Sequence, residues 1–256
     1  MRTPDEHRLL VEQYLENLAL ASELDGLAET MRYTLQAGGK RIRPVLCLAA
    51  GEAAGRPADE LLPAAAAVEL VHTFSLVHDD LPALDDGDVR RGRASAHVRF
   101  GEAVAILAGD ALLAEAFRLA LSYPTPAVAR ELAEATLGMI GGQFLDVTQH
   151  GDDLAALYRL KTGRLFAAAV GCALAVAELP EPEQRPWRAF ADELGLLFQL
   201  VDDLLDGDGY VLSRGEAGTR ALAAEAATRA QERLAEIPAD TSVLREIVSE
   251  LATRSS

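Results

Sequence analysis

Five aspartates, Asp79, Asp80, Asp85, Asp86 and Asp88, stand within ten residues of the segment HDDLPALDDGDVRRGR, and Arg90, Arg91 and Arg93 follow at once. Leu81 precedes Pro82, so the helix entering this segment is predicted to end there. That leaves Asp79 and Asp80 at a negative helix C-terminus, which disfavours carboxylates by roughly 0.3–1 kcal/mol each. A positive partner is expected. Hard oxygen ligands of this kind suit Mg²⁺, which takes one or two carboxylates together with waters and substrate phosphates. The competing reading is a solvated acidic loop with local ion pairs. A second cluster, FQLVDDLLD, places Asp202 and Asp206 four residues apart on one helix face, where like charges repel unless a cation lies between them. A solvent-facing stripe is the alternative there. A calcium loop counted from Asp206 fails, because Tyr210 falls at its fifth position and Val211 where glycine is required.

The basic groups are as localised as the acidic ones. GGKRIRP supplies Lys40, Arg41 and Arg43, and KTGR supplies Lys161 and Arg164; Lys40 and Lys161 are the only lysines in the chain, against 22 arginines. Their place in compact glycine-flanked motifs suits point-charge phosphate contacts, with plain surface cations as the other reading. His72 lies two helical turns before Asp79 and so shares its face, unless it is a satisfied core histidine. Two aspartate clusters facing basic motifs describe a site for highly negative phosphate groups, held through Mg²⁺ on one side and Arg/Lys on the other. Diphosphates meet that description, with an apolar cavity beside them for a hydrocarbon and a shielded carbocation. Neither GxxxxGK[ST] nor GxGxxG is present, a nucleophile elbow is missing, and the five histidines show no zinc spacing.

The elements that must position these groups read as helices throughout. Alanine, leucine, glutamate and arginine dominate, no window alternates with period two, and the fold class expected is all-α. Helices are predicted at about 5–24, 27–37, 43–54, 59–80, 102–121, 126–149, 155–177, 182–206, 214–235 and 241–252, separated by Gly and Pro stops. No linker composition or solenoid repeat divides the chain, so residues 1–256 are expected to form a single-domain helical bundle around a central cavity.

Composition narrows the function further. The chain has 256 residues, 50% hydrophobic and 25% charged, with 40 acidic against 24 basic residues and a net charge of -16. Such a charge repels nucleic acid and anionic membranes. Cys47 and Cys172 lie in apolar helical stretches, which suits two buried thiols in a reducing compartment, and the charged N-terminus does not read as a signal peptide. The longest uncharged apolar run, Leu165 to Ala177, has 13 residues, short of the roughly 20 a membrane span needs. A cytoplasmic protein with no membrane span is expected.

At these residues the chain resembles the trans-isoprenyl diphosphate synthases, the polyprenyl synthetase family. GGKRIRP, ELVHTFSLVHDDLPALDDGDVRRG, AILAGDALL, GGQFLDV, KTGRLF and FQLVDDLLD occur in the family's order. The resemblance implies an isoprenoid synthase fold, a homodimer, and about three Mg²⁺ ions that bridge the aspartate motifs to an allylic diphosphate. By position, Asp79 and Asp85 match the metal ligands of the first motif, with Asp80 assisting. Asp202 matches the leading ligand of the second, with Asp203 and Asp206 supporting. Lys40, Arg43, His72 and Arg91 match the isopentenyl diphosphate pocket; Arg90, Lys161, Thr162 and Gln199 match groups that hold the allylic diphosphate or its developing charge. The implied reaction is ionisation, condensation and proton loss.

The resemblance also bears on product length. Phe74 lies five residues before Asp79, with Ser75 beside it, and an aromatic there implies a cavity floor that stops growth at farnesyl diphosphate; geranylgeranyl diphosphate is the alternative product. The chain departs from the family after Asp206, where GDG leads almost directly to Tyr210 and the loop carries no lysine. Arg214 and Arg220 match ammonium groups only in charge. That keeps open a catalytically weak partner subunit of a prenyl synthase. A class I terpene cyclase would have no use for Lys40, Arg43 and His72.

Overall fold

The computed structural model describes residues 2–148 and 153–254. Proline opens the first helix, α1 (Pro4–Glu16), where its missing N–H costs nothing. Thr3 caps it: Thr3 Oγ1 accepts from the Glu6 amide at 3.3 Å and the Glu6 carboxylate accepts from the Thr3 amide at 2.8 Å. A 3₁₀ turn over Ser22–Leu27 leads into α2 (Ala28–Leu35), and the double glycine that follows takes positive φ at both Gly38 and Gly39. α3 (Ile42–Ala53) and α4 (Ala58–Asp79) are apolar on nearly every face, so they can only be central. Gly51 lets them close up, since a Cβ there would stand 2.3 Å from Leu61. Burying each Leu or Val of these helices contributes roughly 1.5–3 kcal/mol.

A two-stranded hairpin pairs Val89–Arg90 with Arg93–Ala94, which corrects the expectation of no strand; two residues a side are too short to show alternation. α5 (Ala96–Phe100) and α6 (Glu102–Ala120) follow, then α7 (Ala127–Val147). α8 (Leu154–Tyr158) runs through a π-helical turn, Arg159–Gly163, into α9 (Arg164–Val176). α10 (Glu181–Asp206), α11 (Tyr210–Ala235) and α12 (Ser242–Thr253) complete the all-α fold. α4 packs on α3, α6 and α9, and one apolar cluster runs from Val11 to Leu251.

The predicted helices differ from these in four places, the first being α5, which no predicted range covers. Residues 5–24 break at Glu16, and the chain turns through a short 3₁₀ segment before α2. Residues 155–177 contain the π turn. The helix expected at 214 starts at Tyr210, then kinks at Gly215, whose φ of 72° no helix tolerates. Gln149, the expected end of α7, lies outside the described residues. Among the described residues α4 alone is long and apolar enough to cross a membrane, longer than the 13-residue run suggested, and 67% of that stretch is buried inside the bundle. Cys47 and Cys172 are buried and unpaired, and burial pushes the Cys47 thiol up to about 12.

Candidate active site

α4 ends at Asp79 because Pro82 cannot continue it, and the loop folds back on the helix end: the amides of Asp85 and Gly87 donate to the carbonyls of Asp79 and Asp80 at 2.9 and 3.1 Å. The two adjacent carboxylates then part company. Asp80 is buried and clamped by Arg90, whose Nε donates to both of its oxygens at 2.8 and 2.9 Å while Nη2 stands 2.7 Å away. This is the positive partner expected of the motif. Asp79, half-buried, has no hydrogen bond or ion pair through its carboxylate among the described residues. Burial pushes it up to about 6 against the pull of Lys161, and Asp85 adds to the rise. Asp85 itself is exposed.

α10 repeats the pattern one motif later. Asp203 is buried and spoken for, accepting from Gln199 Nε2 and from the Tyr210 amide, both at 2.8 Å. Asp202 makes no such bond and is pushed up to about 6 by burial, with Lys40 and Arg43 opposing and Asp206 and Asp203 reinforcing. Asp206 is exposed at the helix end. Each motif thus has one carboxylate that locks the scaffold and one left facing a cavity. No three metal-ligating groups converge among the described residues. Asp79 and Asp202, hard oxygen donors without a protein partner, are nevertheless the donor set Mg²⁺ takes alongside waters and substrate oxygens.

Two cavities meet between the motifs. The apolar one, about 430 Å³, is lined by Phe74, Ser75, Asp79, Met139, Phe144 and Leu165 and reaches Lys161 and Thr162. That volume lies within the usual 300–1,000 Å³ of small-molecule sites. Phe74 is buried in its wall, edge-on to His78 with ring centroids 4.9 Å apart. The second cavity, about 360 Å³, is lined by Lys40, Arg41, Arg43, His72, Arg91 and Asp202. Arg43 and His72 line both. Arg43 Nη1 stands 3.4 Å from His72 Nε2, and its guanidinium lies 4.6 Å over the Phe166 ring. Burial lowers Arg43 to about 10, which still leaves it charged at neutral pH, and burial with the arginines around it drives His72 down, so that ring is neutral. The Arg43 Nε is buried without a hydrogen-bond partner.

The remaining predicted residues fall at the same junction. Lys161 pairs with Asp146 of α7. Thr162 Oγ1 donates to Gln199 Oε1 at 2.8 Å, which turns the Gln199 amide toward Asp203. The π turn carrying Lys161 and Thr162 sits against α7 only because residue 142 is glycine; a Cβ there would stand 2.6 Å from the Lys161 nitrogen. Arg91 donates to the Gly38 carbonyl, and Lys40 is exposed beside it. The sequence reading misplaced one group and missed two. Arg41 is buried and paired with Glu69 beneath the basic cavity, so it is scaffold although its motif marks it as a ligand. Asp146 and Gln143 stand in GGQFLDV, a motif legible in the sequence but without a role there; both amide atoms of Gln143 are buried and unpartnered.

Known proteins agree with this geometry. The chain is 40% identical over 200 residues to farnesyl diphosphate synthase of Bacillus subtilis (strain 168), covering 72% of this chain and 68% of that one. It is 39% identical over 216 residues to geranylgeranyl diphosphate synthase of Cyanophora paradoxa, covering 78% and 72%. The fold superposes on the crystal structure of a geranyltransferase from Legionella pneumophila with a TM-score of 0.87 and 32% identity, over 98% of this chain and 94% of that chain. The polyprenyl synthetase pattern matches residues 25–220. With the motif order, the paired cavities and these relatives in agreement, the chain belongs to the polyprenyl synthetase family.

Proposed function

We propose that this chain, a short-chain trans-prenyltransferase, condenses isopentenyl diphosphate with dimethylallyl or geranyl diphosphate and stops at farnesyl diphosphate. The observation that carries the reading is the pair of cavities sharing Arg43 and His72, one apolar and one basic. A condensation of two diphosphates needs both; a cyclase needs one. The allylic chain lies along Phe74 and Ser75, with its diphosphate toward Asp79, Arg90, Lys161, Thr162 and Gln199. Lys40, Arg43, His72 and Arg91 hold isopentenyl diphosphate. Asp79, Asp85 and Asp202 hold Mg²⁺, about three ions with substrate, while Asp80, Asp203 and Asp206 support them. Mg²⁺ bound there supplies Lewis-acid stabilisation of the leaving diphosphate.

In the reaction the allylic C1–O bond breaks and the electron pair leaves with pyrophosphate. C1 bonds to C4 of isopentenyl diphosphate, and the C2 proton passes to the pyrophosphate, so no side chain serves as base. The chain's part is preorganised charge: Lys161 and Arg90 beside the leaving group, Arg43 beside the incoming one, and an apolar wall that excludes water. A neutral His72 can hydrogen-bond to a diphosphate oxygen without adding repulsion to Arg43. Exposed Ile106, Leu107 and Leu137 on α6 and α7 support a homodimer, and the two unpaired thiols suit the cytoplasm.

The test is incubation with Mg²⁺, labelled isopentenyl diphosphate and, separately, dimethylallyl, geranyl and farnesyl diphosphates, with chromatography of the dephosphorylated products. Farnesol with little beyond it supports the reading. Geranylgeraniol overturns the Phe74 stop while keeping the enzyme class. No extension by folded protein favours the partner-subunit reading, to which the short Gly207–Gly209 connection points.

A further inference from the structure

The hairpin over residues 89–94 is the one sheet among the described residues, and it carries Arg90 and Arg91. Arg90, the last residue of the first strand, reaches Asp80, and Arg91, the first residue of the turn, reaches the Gly38 carbonyl beside the basic cavity. Its turn takes positive φ at both Arg91 and Gly92. Glycine accepts that at no cost, whereas an arginine in the left-handed region persists only when its surroundings hold it. A two-residue hairpin is not stable by itself. Something outside it must set where both guanidinium groups stand.

Tyr33 of α2 meets that need. Its hydroxyl donates to the Ala94 carbonyl at 2.7 Å, tying the second strand to α2. Its ring lies 4.0 Å from the Arg93 guanidinium and 4.6 Å from that of Arg99, and it meets Phe100 edge-on at 5.3 Å. The same helix leads into Gly38 and Gly39; the φ of 134° at residue 39 favours glycine, and a Cβ there would stand 2.6 Å from the Arg91 guanidinium. The small space between Tyr33, Asp80, Arg90 and Arg91, about 40 Å³, is a packing seam too small for a ligand. Tyr33 lines neither of the two larger cavities.

We propose that Tyr33 is a positioning residue that sets Arg90 and Arg91 together, and so couples affinity for the allylic diphosphate to affinity for isopentenyl diphosphate. The inference rests on the roles given to these two arginines above. Tyr33→Leu removes the hydroxyl and the aromatic face and keeps an apolar side chain. It should raise KM for both diphosphates by about tenfold, with kcat changed less. Tyr33→Phe keeps the ring and should stay within about threefold of the parent, the share of one neutral hydrogen bond. In an Arg91→Ala background, Tyr33→Leu should add almost nothing to KM for isopentenyl diphosphate, since the arginine it positions is gone.

The outcomes separate the inference from the reading beneath it. If Arg91→Ala raises KM for isopentenyl diphosphate but Tyr33→Leu, folded by circular dichroism, leaves both KM values unchanged, the positioning role is overturned. The same holds if Tyr33→Leu and Arg91→Ala multiply in full. If Arg91→Ala itself moves no KM, the assignment of the basic cavity falls and the inference falls with it. Should Tyr33→Leu fail to fold, Tyr33→Met removes the ring and the hydroxyl while keeping an apolar side chain, and unaltered KM values for both diphosphates in that folded variant would overturn the role as well.

Discussion

Asp202→Asn should raise the stability of the metal-free protein and lower activity in the presence of Mg²⁺. Asp202 is pushed from 3.8 up to about 6 because burial and the neighbouring Asp206 and Asp203 outweigh the attraction of Lys40 and Arg43. The folded chain therefore binds this proton more tightly than the unfolded chain. The stability it carries is full below the unfolded value of 3.8 and is lost as pH rises through about 6. A shift of this size corresponds to about 3 kcal/mol at most, and the half-buried setting reduces it to about 1–2 kcal/mol. Asparagine removes the charge at nearly constant shape. In EDTA at pH 8 the variant should melt roughly 2–8 °C above the parent, at about 2–4 °C per kcal/mol for a chain of this size. At pH 4 the difference should vanish. With Mg²⁺ and substrate the variant should be slower by about a hundredfold or more, as for the loss of one preorganised charge contact. A variant that melts below the parent at pH 8, or gains equally at pH 4, would refute the claim that this carboxylate is held charged at the fold's expense for a cation.

Three further outcomes follow from the same geometry. Phe74→Ala should lengthen the product, geranylgeraniol gaining on farnesol in the chromatogram, and should cost less than the roughly 3–5 kcal/mol of a fully packed phenylalanine, because the ring already lines a cavity; denaturant unfolding reads that cost. Arg43→Ala should raise KM for isopentenyl diphosphate by about 10–100-fold while moving the allylic KM much less, and Arg43→Lys should restore only part, since the guanidinium also lies on the Phe166 ring. Gly142→Ala forces a methyl against the Lys161 backbone and should cost about 1–3 kcal/mol, with kcat falling as the π turn moves; a melting point and kcat equal to the parent's would show that the π turn does not depend on that close approach.

Much of this molecule was legible in the chain. Proline and glycine stops marked α4 and α10 to within a residue or two, because the backbone cannot continue a helix through them. The hairpin was not legible, since two-residue strands have no period to read. The split within each aspartate pair was also hidden. Asp79 and Asp80 are alike in sequence, and which one is clamped depends on Arg90 swinging back across a ten-residue loop. Asp203 is fixed by Tyr210, seven residues on and past the end of the helix. Arg41 misled for the same reason: its motif is basic, but Glu69, 28 residues away, decides that it is scaffold.

The central claim is that two diphosphates bind side by side, one in each cavity. Titration calorimetry of isopentenyl diphosphate into protein saturated with Mg²⁺ and a non-ionising thio analogue of geranyl diphosphate tests it directly. One site per chain is predicted, lost in Arg43→Ala while the geranyl analogue still binds. Absence of a second diphosphate site in the folded, saturated parent protein, or its survival unchanged in Arg43→Ala, would contradict the account.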